Sequence, residues 1–129
     1  MTSFYTYGLV FVGGGLGSML RYLLGRQLPA SLGGTAFPLS ILVVNILASA
    51  LLGAVMGWVA TRPDREPWRL LIGVGVCGGL STFSSFSQDN LMLLQQNRYG
   101  AAFLNIGLNV MGCLLASAAG WGLMASSAR

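Results

Sequence analysis

The chain has 129 residues, 54% of them hydrophobic and 8% charged, against about 25% charged in soluble domains. That composition excludes a soluble globular domain and points to a single integral membrane domain, residues 1–129. The formal charge of +4 is carried by arginines without a lysine, scattered singly rather than clustered on one face, which argues against nucleic acid as a partner.

Charge-free runs extend over 1–20, 27–61, 70–88 and 99–128. A span needs roughly 20 apolar residues at about 1.5 Å each, so the runs predict four transmembrane helices, about 4–24, 38–60, 68–96 and 99–124. They take up nearly the whole chain and leave no room for a soluble catalytic domain. Cytoplasmic loops are usually enriched in Arg and Lys. Here Arg62, Arg65, Arg69 and Arg129 fall on the side of the N-terminus and Arg21, Arg26 and Arg98 on the other, a near-even split that permits insertion both ways.

Helix 1 carries Gly13-Gly14-Gly15 and Gly17. Gly13 and Gly17 make a small-xxx-small face, which lets backbones approach closely in lipid, where packing must drive association. Arg21 falls at the helix end and has two readings, a side chain snorkelling to the interface or a structural or ion-attracting group. The span lacks a basic leader segment and three more spans follow, so it is expected to be retained. The connector holds the turn formers Pro29, Gly33, Gly34 and Pro38.

Helix 2 offers Gly53 and Gly57 as a second close-packing pair, and Asn45 is its one strongly polar side chain. An amide there must be bonded, either as interhelical glue worth roughly 0.6 kcal/mol or as a ligand contact. Residues 61–68, with two prolines and mixed charge, read as a short solvated loop.

Helix 3 is some ten residues longer than a straight crossing needs, and at its centre lies the hydroxyl-rich stretch that opens on Gly78-Gly79. The excess length and the Gly-Gly pair predict two half-helices joined by an unwound link, whose free carbonyls would form an ion site at the membrane midplane. Asp89 follows as either a functional intramembrane carboxylate or a solvated one near the headgroups. In helix 4, Asn105, Asn109 and Cys113 recur every four residues along one face. Such a ladder bonds a neighbouring helix or lines a path for a polar solute; together with Asn45 the amides favour a path. Cys77 and Cys113 lack metal or redox spacing and read as small apolar fillers.

Without histidine, lysine, or a cluster of cysteines or carboxylates, general-base, zinc and triad mechanisms lack their parts, so an enzyme is not expected. The intramembrane polar groups that remain are neutral hydroxyl and amide donors, which suit a small anion stripped of water. Phe83 and Phe86, at i and i+3, share a helical face beside Ser84 and Ser85. Core packing is one use for these rings; holding an anion against their positive edges is the other.

The stretch Gly78-Gly79-Leu80-Ser81-Thr82-Phe83-Ser84-Ser85-Phe86-Ser87, preceded by Leu42-Val43-Val44-Asn45 and by Arg21, closely resembles the Fluc (CrcB) fluoride channels of bacteria, and the likeness covers essentially the whole chain. It implies an all-α, multi-pass protein of the bacterial inner membrane: an antiparallel dual-topology homodimer, helix 3 broken at its centre, with two fluoride pores between subunits. The function implied is passive export of fluoride from the cytoplasm. Phe83 and Phe86 would meet fluoride with their ring edges, and Asn45, Ser84 and Ser85 would line the path. Asn105, Asn109 and Cys113 stand where the family's polar track often has Tyr, Ser or His, and Asp89 stands where it commonly has glutamate; with Arg21 they are counted among the path residues. Ser40-Ile41-Leu42 replaces the usual Gly-Thr-Leu ahead of Asn45. A structural sodium ion on the dimer axis would be held by backbone carbonyls, at the positions of Gly78 and Ser81.

Two rival readings come from other classes. A proton-coupled multidrug exporter of four helices needs a carboxylate deep in helix 1, and residues 4–20 contain none. A scaffold subunit would use the glycine faces to dock partners and conduct nothing.

Overall fold

The computed structural model describes residues 4–28, 31–32, 35–60 and 62–126. Of the residues named above, Pro29, Gly33, Gly34, Thr61 and Arg129 lie outside the described residues. Four helical segments are long and apolar enough to cross a membrane: Phe4–Gln27, Leu39–Val59, Glu66–Gln95 and Tyr99–Ser126. Backbone polar groups in hydrocarbon must be satisfied within the chain, and runs of Leu, Val, Ala and Gly satisfy them most simply as helix.

α1 (Phe4–Gln27) extends past residue 24, so Arg21 lies inside the helix, about 9 Å along its axis from the last residue rather than at its end. The connector that follows forms a small antiparallel ladder, β1 (Ser31–Leu32) on β2 (Thr35–Ala36), with Ser31 opposite Ala36 and Leu32 opposite Thr35. α2 (Leu39–Val59) starts directly after Pro38, which cannot donate to a preceding turn. Past α2, the guanidinium of Arg65 donates from Nη1 to the Trp58 carbonyl at 2.7 Å and lies 4.3 Å from the Trp58 ring centre, closing the C-terminal end of the helix.

The third span is composite. α3 (Glu66–Trp68) passes into a π-helical stretch, Arg69–Cys77, then α4 (Gly78–Leu80), and after Ser81 and Thr82 comes α5 (Phe83–Gln95). At 30 residues it would reach about 45 Å as a continuous α-helix, well beyond a hydrocarbon core of about 30 Å. Asn97, at φ 56°, takes the left-handed conformation in the turn at the end of α5. The Arg98 amide donates to the Leu93 carbonyl at 2.9 Å, and α6 (Tyr99–Ser126) begins at once in the returning direction.

Packing follows the small residues. A Cβ on Gly13 or Gly17 would run into the backbone carbonyls of Leu71 and Val76, and one on Gly75 would come within 2.8 Å of the Gly13 Cα. α1 therefore lies backbone-to-backbone on the π stretch. On the other side, a Cβ on Gly53 would strike the Ser117 carbonyl, one on Gly57 would come within 2.7 Å of the Trp121 carbonyl, and one on Gly120 would strike the Ala50 carbonyl, so α2 and α6 also meet backbone to backbone. The fully buried apolar cluster is small, Val44, Ala48 and Leu80, with Leu24 and Ile41 against it. Most large apolar side chains, Phe11, Leu16, Phe103, Leu115 and Leu123 among them, point outward, as lipid or a second subunit would require.

Candidate functional site

The backbone leaves helix at Ser81 (ψ 154°) and Thr82 (φ −152°, ψ 120°), while Gly78, Gly79 and Leu80 stay helical. The Gly-Gly pair is thus not itself the unwound part. Gly79 serves close packing, since a Cβ there would strike the Gly14 carbonyl, whereas Gly78 opens onto free space. An extended residue in the apolar interior needs partners, and Asn45 supplies them. The Thr82 amide donates to Asn45 Oδ1 at 2.8 Å, and Asn45 Nδ2 donates back to the Thr82 carbonyl at 3.3 Å. One carboxamide thereby pairs both backbone groups of Thr82, as a neighbouring strand would. The Thr82 amide is the i+4 donor that Gly78's carbonyl would have in a continuous helix; its diversion to Asn45 releases that carbonyl.

Thr82 also starts the next helix: its Oγ1 accepts from the Ser85 amide at 3.2 Å, an N-cap. That hydroxyl donates to Ser85 Oγ at 3.3 Å and lies 3.1 Å from Ser84 Oγ. With a single proton, already given to Ser85, Thr82 accepts from Ser84, and the Ser85 hydroxyl keeps its own proton for another acceptor.

Phe83 and Phe86 come together as their spacing predicts, ring centroids 5.4 Å apart at 48°, but they differ in exposure. Phe86 is 9% exposed and Phe83 is 79% exposed, so the pair reaches from the interior of the chain to its outer face.

Beside this turn an open cavity of about 470 Å³ runs between the start of α2 and α5, its lining including Ser40, Ile41, Ser85, Asp89, Met92 and Gln96. The free Ser85 proton and Ser40 give it donors. Asp89 contributes a carboxylate whose buried Oδ2 has no hydrogen-bond partner among the described residues. Asn45, Asn109, Phe83 and Phe86 are not part of that lining.

The helix 4 amides turn inward. Asn105 is fully buried and Asn109 nearly so. Asn45 Nδ2 donates its second hydrogen to Asn109 Oδ1 at 3.1 Å, and Asn109 Nδ2 donates to the carbonyl and to Oδ1 of Asn105, at 3.0 and 2.9 Å. Both amide protons of Asn45 and of Asn109 are thus committed within the chain. Cys113, one turn on, is a half-buried free thiol, and Arg21 sits half-buried on α1 and is not part of the cavity lining.

Two residues outside the predicted path also hold the site together. Thr82 was legible as an N-cap, a threonine followed after three residues by the serine whose amide it accepts. Asn90, 6% exposed, donates from Nδ2 to the Phe86 carbonyl at 2.8 Å and accepts from Asn105 Nδ2 at 3.1 Å. Its i+4 spacing from Phe86 was the available signal.

Among the described residues no group of three or more His, Cys, Asp or Glu side chains is placed to hold a metal. Neutral oxygens, of the backbone among them, are then the donors to consider for a cation. The released carbonyl of Gly78, on an exposed and unobstructed surface, fits a hard monovalent cation in donor type.

Residues 8–121 match the family model described as CrcB-like protein, Camphor Resistance (CrcB). Curated relatives named fluoride-specific ion channel FluC include one from Klebsiella pneumoniae (strain 342), 40% identical over 121 residues, 92% of this chain and 93% of the relative. Another, from Pyrococcus horikoshii, is 43% identical over 104 residues, 80% of this chain and 82% of the relative. One from Escherichia coli O139:H28 is 37% identical over 119 residues, 92% of each chain. With a match across nearly its full length and the motif residues gathered at one turn of the third span, the chain belongs to the CrcB-like family.

Proposed function

We propose that the chain forms a fluoride-selective ion channel that lets fluoride leave the cytoplasm passively. The observation that carries this reading is the 40% identity to a protein named as a fluoride-specific channel, extending over 92% of the chain. The site's inventory agrees with it: neutral hydroxyl donors and phenylalanine edges compensate the dehydration of a small anion without trapping it. Fluoride meets the ring edges of Phe83 and Phe86, with Ser84 and the free proton of Ser85 beside them, and Asn45 and Asn109 form the wall behind.

The functional unit in this reading is a dual-topology homodimer in the inner membrane, with a pore along each side of the interface. A 79% exposed Phe83 is explained if a second copy covers it. Antiparallel assembly brings the Gly78 and Ser81 carbonyls of both subunits to one axis, around the break in the third span, where a structural sodium ion would neutralise the converging dipoles. Neither rival is favoured. α1 contains no carboxylate for proton exchange, and a scaffold has no use for an open cavity lined by Ser40, Ser85 and Asp89.

Fluoride efflux from proteoliposomes of purified protein tests the reading. Efflux that proceeds without a proton gradient and is far faster for fluoride than for chloride is expected. Well-folded protein that moves no fluoride would sink it.

A further inference from the structure

The four buried asparagines form one directional hydrogen-bonded chain. It begins at the Thr82 amide, which donates to Asn45; Asn45 donates to Asn109, Asn109 to Asn105, Asn105 to Asn90, and Asn90 to the Phe86 carbonyl. Every member accepts from the preceding one through Oδ1 and donates to the next through Nδ2. The chain leaves the third span at Thr82, crosses α2 and α6, returns to the third span at Asn90 and ends on the Phe86 carbonyl, four residues after Thr82. It closes a loop around the turn that carries Phe83, Ser84 and Ser85. All four side chains are at most 9% exposed.

We propose that Asn90 and Asn105 are positioning residues for the anion path: they fix the backbone of Phe86, and with it the Phe83–Phe86 pair, relative to the extended residue Thr82. The inference rests on the fluoride-channel reading and adds residues to it. The first turn of α5 begins immediately after extended backbone, so its own helix does not determine its rotation. Thr82 is fixed by Asn45 at one end. At the other end, Phe86 is tied to α6 only through Asn90 and Asn105 among the hydrogen bonds described. Hydrogen bonds running head to tail in a low dielectric polarise one another, and a partly satisfied network is costly, so the chain behaves as a unit. Asn105 and Asn109 then act behind the path rather than as donors in it.

The test separates positioning from mere folding. At less than one channel per liposome, the fraction of fluoride-loaded liposomes that empty counts working channels, while the rate at which each empties measures flux per channel. Asn90→Val and Asn90→Thr are nearly isosteric, but a threonine hydroxyl in a helix bonds the i−4 carbonyl and so restores the link to Phe86. Asn90→Val and Asn105→Leu are each expected to slow emptying by about threefold or more, the factor carried by one interhelical bond of typical membrane strength. Asn90→Thr is expected to drain faster than Asn90→Val, and the Asn90→Val/Asn105→Leu double variant no more slowly than the slower single. Should Asn90→Val not fold, Asn105→Ala, which only removes atoms, carries the same expectation. A wild-type rate per channel in these variants, with only the emptied fraction reduced, would overturn the inference, as would rate losses that multiply in the double variant. Wild-type protein that empties no liposomes would overturn the channel reading and this inference together, whereas normal wild-type flux with unslowed variants rejects the inference alone.

Discussion

Replacing Asn45 by leucine keeps the number and branching of its heavy atoms, in a somewhat bulkier side chain, and removes all its hydrogen bonds. Three are lost: the pair with the Thr82 backbone, at 2.8 and 3.3 Å, and the bond to Asn109, at 3.1 Å. Interhelical hydrogen bonds in a membrane average about 0.6 kcal/mol, which puts the loss at about 2 kcal/mol. Stranding three buried groups outright would cost more, about 1–3 kcal/mol each. The lower figure applies to the Thr82 amide, because closing the turn into helix offers it a second partner: the Gly78 carbonyl, its ordinary i−4 acceptor. With Asn45 gone, the extended residues close into continuous helix, which rotates Phe83 and Phe86 away from their present positions. Reversible unfolding in mixed micelles is therefore expected to show a loss of about 2 kcal/mol. Fluoride efflux from liposomes is expected to fall much further than the folded fraction does. An Asn45→Leu protein that conducts at the wild-type rate and loses less than about 0.5 kcal/mol would refute the assignment of Asn45 as the clamp on Thr82.

Phe83→Ile is expected to slow fluoride efflux by up to about tenfold with little change in unfolding of the dissociated chain, since the ring is 79% exposed there, whereas Phe86→Ile, at a site 9% exposed, should reduce both; equal stability losses in the dissociated chain would contradict the difference in burial. Gly17→Ala forces a Cβ against the Val76 carbonyl and should destabilise by about 1–3 kcal/mol, while Gly122→Ala, with nothing within 4 Å, should be neutral or stabilising by up to about 1 kcal/mol. Thermal unfolding in detergent that ranked them the other way would refute the close approach of α1 and the π stretch. Arg65→Gln removes both the bond to the Trp58 carbonyl and the guanidinium over its ring, and should speed amide exchange in the last turn of α2 and alter Trp58 fluorescence; unchanged exchange there would mean the cap carries no stability.

What was legible in the sequence, and what was not, follows from the solvent. Hydrocarbon fixes the length of a span and forbids charge within it, so the spacing of arginines and acids gives four spans without further information. Packing in lipid depends on close approach, so Gly13, Gly17, Gly53 and Gly57 could be read as contact faces from spacing alone. Neither argument places the departure from helix. Gly78 and Gly79 invite that reading because glycine costs about 1 kcal/mol in a helix. In hydrocarbon, however, an unsatisfied backbone group costs several kcal/mol, so the glycines stay helical despite their poor propensity. Helix is given up only where another partner is waiting, and that partner is Asn45, 37 residues earlier in the chain. Its amide accepts from and donates to the backbone of one residue through two separate atoms, which an aliphatic side chain there cannot do. The same logic hides Asn90: taken alone it is one more polar residue near the end of a span, and its use emerges only when α6 brings Asn105 against it. The position of the ring pair is thus set by amides on three different spans, a property of the packed bundle rather than of the motif that carries the rings.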